Sequence, residues 1–172
     1  MAAINPQTLC LLRELTRAPP PTEDAWYTAW TALLTSLFPS AQGYFVSPTR
    51  RLLSRGSPQS CIPDFYVEVR RWDGQRLGEG RIVLVIEIKK TNAWQSGIPA
   101  LLRQLDYQLD ASFDVSARSS VYWIAVIGPH WCYGIKEDNG QEPRQLIPWR
   151  QKTHSQRSLH DFNILAGLIA AM

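Results

Sequence analysis

Apolar residues along this chain alternate between helical and strand spacing. In "PQTLCLLRELTR" (Pro6 to Arg17), Leu11, Leu12 and Leu15 share one helical face. A second helical pattern runs through Trp26, Trp30, Leu33, Leu34 and Leu37 until Pro39 stops it. "APPPTED" ahead of it is a breaker followed by Thr22 and acids, which predicts an N-cap at Thr22. Strand spacing follows: "GYFVSP", then "IPDFYVEVRRW" with Pro63 near its start, where proline is tolerated. "WDGQRLGEG" reads as a long hairpin connection, and "RIVLVIEIKK" as a strand buried on both faces. Helical period returns in "AWQSGIPALLRQLDYQLDASF" through Leu101, Leu102, Leu105 and Leu109. "VYWIAVIG" is a further buried strand, "WCYGIKE" its partner across Gly-Pro-His, and "DNGQEPRQ" a turn. An amphipathic helix over about 158–171 closes the chain and reads as one that docks.

The order α-β-β-β-α-β-β-α places a helix between two buried strands, which predicts a crossover and a parallel pair within a sheet that begins as a meander. The expected architecture is α/β, a mixed sheet flanked by helices. At 172 residues the chain is long enough for one domain with a proper core, and 1–172 is read as that domain, its centre over about 23–137.

Composition adds little to this picture and excludes some classes. Charged residues make up 19% and hydrophobic ones 45%, so a disordered chain is excluded. Cys10, Cys61 and Cys132 are odd in number and widely spaced, which indicates neither a disulfide framework nor a zinc site. The start of the chain lacks the pattern of a signal peptide, and the apolar tail "FNILAGLIAAM" is too short to span a bilayer. An intracellular protein, cytoplasmic or nuclear and not secreted, is expected, with no membrane partner. Of the seven tryptophans, Trp26 and Trp30 are expected in the core, and His130 in a turn.

Charge does change the picture. The net charge is +3, but from Arg50 to Lys90 nine basic residues face five acidic ones. Clustered arginine suits a phosphate-bearing partner, and Arg50, Arg51 and Arg55 are the candidates for phosphate contacts. A solvated hairpin and loop is the competing reading.

The candidate chemistry lies where ionisable residues enter apolar runs. Glu87 and Lys89 are two apart in one strand, so they share a face at about 7 Å along the chain, while Ile86 and Ile88 face the other way. Asp64 stands at the start of the preceding strand, within lateral reach of Glu87. Two carboxylates brought together in a semi-buried place repel, and a divalent cation relieves the repulsion. Oxygen ligands suit Mg²⁺ or Mn²⁺. Asp64 capping its own strand, with Glu87 and Lys89 laddered against Arg70 or Glu68, is the purely structural alternative.

Pro63-Asp64, 22 intervening residues, then Glu87-Ile88-Lys89 leading into a helix resembles the PD-(D/E)xK nuclease superfamily, in particular its small stand-alone members. The resemblance implies a restriction-endonuclease-like fold over about 23–128. It makes Asp64 and Glu87 metal ligands, with the backbone carbonyl of Ile88 completing the shell, and Lys89 the residue that positions or activates water. Gln104 and Gln108, one turn apart on the following helix, match the glutamine many members add there, and the helicase-associated Gln-x-x-x-Tyr pattern is missed because Tyr107 falls one position short. Glu23, or else Glu14, is the candidate for an acid on the first helix.

The implied function is a Mg²⁺- or Mn²⁺-dependent nuclease that hydrolyses phosphodiester bonds of DNA, or of RNA, with a homodimer as one route to double-strand cutting. The alternative keeps the fold without the catalysis: a nucleic-acid-binding or protein-interaction module.

Overall fold

The computed structural model describes residues 4–48, 62–115 and 118–172. Helices α1 (Pro6–Arg17) and α2 (Asp24–Leu37) are followed by strands β1 (Tyr44–Pro48), β2 (Phe65–Val69) and β3 (Arg81–Lys89). Helix α3 (Ile98–Val115) leads to β4 (Ser120–Ile127), β5 (His130–Glu137) and β6 (Arg144–Gln145), and α4 (Gln156–Ala170) ends the chain. The six strands lie in sequence order in one sheet. All neighbours are antiparallel except β3 and β4, which run parallel from Leu84↔Tyr122 to Lys89↔Ile127 because α3 crosses between them. The α/β class, the mixed sheet and the parallel pair are as the periodicity predicts. None of the helices in the described residues is long and apolar enough to cross a membrane.

Alternation along each strand sends side chains to two separate cores. Phe65, Val67, Leu84, Ile86, Ile88 and Trp131 pack against α1, α2 and α4, where Trp26, Trp30, Leu33 and Phe162 are fully buried. Each such side chain contributes about 1.5–3 kcal/mol. Tyr66, Val85, Trp123, Ala125 and Ile127 face α3 through Leu101, Leu105 and Leu109. Layers cover β3 on both sides, which is why its residues 82–88 are buried without a break, Glu87 among them.

Four local expectations change. The N-cap of α2 is Glu23 rather than Thr22, and no side chain caps the helix, because the Glu23 carboxylate turns outward to accept the Lys90 N–H at 3.2 Å. Helix α3 starts at Ile98, since residues 91–93 form a 3₁₀ turn and Gln95 takes a left-handed φ of 66° that breaks helical continuity. Arg144 and Gln145, read as part of a turn, add the short edge strand β6 against Gly134 and Ile135. His130 opens β5 instead of sitting in the turn, its ring stacked on Trp94 at 3.7 Å.

Candidate active site

The site begins with a proline. Extending the β2–β3 register two pairs beyond Phe65↔Ile86 would set Pro63 opposite Ile88. Proline has no N–H to give to a ladder. The bond lost is the one the Ile88 carbonyl would accept, while the Ile88 N–H donates to Asp64 Oδ2 at 2.6 Å. N–H and C=O of one strand residue point the same way, so the Ile88 carbonyl faces this same opening. A strand that pairs up to Phe65 and then stops thus leaves a carboxylate and a carbonyl together at the end of β3.

Helix α2 approaches from one side. The Tyr27 hydroxyl donates to Asp64 Oδ1 at 2.8 Å. Glu23, one helical turn earlier, reaches Lys90. Burial raises the proton affinity of Asp64, and the bonds from Ile88 and Tyr27 offset only part of this. Burial, then the bond to Asp64, pushes the Tyr27 phenol well above its ordinary range.

Helix α3 closes the other side. Glu87 is 1% exposed, and its carboxylate accepts three hydrogen bonds. Lys89 Nζ and Gln104 Nε2 donate to Oε1 at 2.5 Å each, and Gln108 Nε2 donates to Oε2 at 2.8 Å. Burial, and next the charge of Asp64, raises the Glu87 carboxyl above its usual range, so the two acids sense each other directly. Burial works against the Lys89 ammonium, but the bond and charge of Glu87 overcome it and hold the lysine more firmly protonated than usual. The two glutamines reach one carboxylate because residues four apart stack on a helix face.

Asp64, Glu87, Lys89, Gln104, Gln108 and the Ile88 backbone therefore meet at one end of the sheet, with Glu23 at its margin. Glu14 stays on the exposed face of α1, its carboxylate 3.8 Å from Cys10 Sγ. Arg50, Arg51 and Arg55 lie outside the described residues. The charge ladder does not form: Glu68 pairs with Arg70 at 2.6 Å, away from Glu87. Tyr27 is the participant that sequence reading missed. Its signal is its place four residues after Glu23, on the face that α2 turns toward the strand ends.

Among the described residues no group of three or more His, Cys, Asp or Glu side chains is arranged to hold a metal ion. The donors that are present are nevertheless all oxygen: two mutually repelling carboxylates, a strand-end carbonyl, and the buried Gln108 Oε1, which has no partner among the described residues. That set fits a hard cation such as Mg²⁺ or Mn²⁺ that keeps much of its water. In comparisons with known proteins, no family model, no curated protein and no solved structure matches the chain.

Proposed function

We propose that this chain is a restriction-endonuclease-like nuclease of the PD-(D/E)xK type, hydrolysing phosphodiester bonds of DNA or of RNA. One observation carries the reading: Glu87, buried in the central strand, is met by Lys89, Gln104 and Gln108 on the side where Asp64 also raises its proton affinity. Folding concentrates negative charge there, which is a cost that a purely structural site avoids.

Asp64, Glu87 and the Ile88 carbonyl would hold Mg²⁺ or Mn²⁺, which when bound supplies positive charge to the scissile phosphate. The reaction is displacement at phosphorus: a water oxygen bonds to phosphorus and gives up one proton to solvent, while the bond to the sugar oxygen breaks and that oxygen takes a proton from solvent to leave as a hydroxyl. Lys89, firmly protonated, orients the water and balances charge on the phosphate rather than acting as the base. Gln104 and Gln108 keep the Glu87 carboxylate in one orientation. Tyr27 does the same for Asp64.

The test is cleavage of labelled single- and double-stranded DNA and RNA with Mg²⁺, Mn²⁺ or chelator. Cleavage is expected to need the metal and to disappear in Glu87→Ala and Lys89→Ala while circular dichroism stays native. Cleavage in chelator, or full activity in either variant, refutes the reading. A second reading, an inactive nuclease-like module that binds nucleic acid or protein, is favoured by the fact that all four carboxylate oxygens already accept protein hydrogen bonds. Calorimetry with Mn²⁺ separates the two, since a relic site takes up little or no metal.

A further inference from the structure

A cavity of about 440 Å³ opens at the end of the sheet opposite the carboxylate site. Arg81 begins β3 and Lys89 ends it, so eight residue steps of about 3.3 Å place the two ends about 26 Å apart. Three guanidinium groups from separate segments line this cavity: Arg71 beyond β2, Arg81 at the start of β3, and Arg118 ahead of β4. Tyr44 and Glu79 line it as well.

Among the described residues none of these arginines is in an ion pair, although six such pairs form elsewhere. Arg118 Nη1 donates to the Met172 carbonyl at an exposed 3.4 Å. Its Nε is buried and has no acceptor among the described residues. Such a donor forfeits its hydrogen bond to water without replacement, a state that folded proteins rarely tolerate. Burial, then the charges of Arg81 and Arg71, disfavours the protonated Arg118. An anion in the cavity relieves the mutual repulsion of the three guanidinium groups.

We propose that this cavity binds a phosphate monoester. Three arginines outnumber Glu79 on the lining, and a monoester carries about −1.5 to −2 at neutral pH. Planar guanidinium forks match its oxygens in pairs. A recess also suits a terminal phosphate better than a diester, which has to enter and leave as a chain. Two sources share this chemistry, the phosphate of a free nucleotide and the phosphorylated end of a nucleic acid. The proposal does not depend on the nuclease reading.

The test is calorimetric titration of the full chain with inorganic phosphate, adenosine monophosphate, and an oligonucleotide with either a 5′-phosphate or a 5′-hydroxyl, all at constant ionic strength. Phosphate is expected to bind wild type and Glu87→Gln equally. The Arg71→Gln/Arg81→Gln double variant, altered only at exposed side chains, should bind about tenfold or more weakly, as the loss of charge-assisted hydrogen bonds predicts. Tighter binding of adenosine monophosphate than of the phosphorylated oligonucleotide identifies a free nucleotide as the source, and the reverse identifies a nucleic-acid end. No binding at millimolar phosphate, undiminished binding by the double variant, or equal affinity for the 5′-hydroxyl oligonucleotide overturns the proposal.

Discussion

Replacing Asp64 with asparagine separates the charge of the site from its hydrogen bonds. Asparagine can keep both contacts: its carbonyl accepts from the Ile88 N–H, and its amide donates to the Tyr27 oxygen, which also has acceptor capacity. Only the negative charge is lost, and burial disfavours that charge in the folded state. Asp64→Ala loses both contacts and leaves the N–H of the buried Ile88 without its acceptor, which costs about 1–3 kcal/mol. For a chain of this length each kcal/mol moves Tm by roughly 2–4 °C, so Asp64→Asn should melt about 2–12 °C above Asp64→Ala. At pH 7 it should also melt no lower than wild type.

The sign of the pH dependence follows from the same feature. Asp64 and Glu87 bind protons more tightly folded than unfolded, where their ordinary values are 3.8 and 4.5. Their favourable contribution is complete below those values and is lost as pH rises through the higher folded ones. Wild-type stability should therefore decline with pH above the ordinary carboxylate range, and Asp64→Asn should flatten the decline. Differential scanning calorimetry from pH 4 to pH 8 reads both effects. If Asp64→Asn melts as low as Asp64→Ala, the ionised carboxylate is stabilising the fold, and the argument that charge is held there for function fails.

Three other substitutions probe separate parts of the structure. Tyr27→Phe removes a donor to Asp64 and should raise that carboxyl's proton affinity further, seen as an upward-shifted titration in carboxyl ¹³C NMR; an unmoved titration contradicts the 2.8 Å bond. Asp161→Ala strands Arg150, whose Nε lies 2.6 Å from Asp161 Oδ2 with both side chains nearly buried, and should cost about 3–5 kcal/mol in urea denaturation. A loss under about 1 kcal/mol would mean that Arg150 reaches water unaided. Gly134→Ala drives a methyl group into the Arg144 carbonyl and the Trp123 ring, and should cost about 1–3 kcal/mol by the same assay, with a neutral result showing that β6 can move away.

The elements of the site were legible because side-chain direction is a local property. A period of two puts Glu87 and Lys89 on one face, and a spacing of four aligns Gln104 with Gln108, whatever lies opposite. The apolar run from Ile82 to Ile86 in β3 likewise records that two layers cover it, and Pro63 records where β2 stops pairing. Partners across space are written in no local period. Tyr27 meets Asp64 only because α2 packs over the strand ends, and Glu23 stands at the N-cap of α2 with its carboxylate turned to the Lys90 N–H. His130 enters β5 by pairing with Ile127, and its ring then stacks on Trp94. Arg71, Arg81 and Arg118 are scattered along the chain and share a cavity only once the sheet brings three strand ends together. Burial pattern is carried residue by residue, whereas convergence depends on how long loops close and layers stack, and those are decided by the packing of the whole domain.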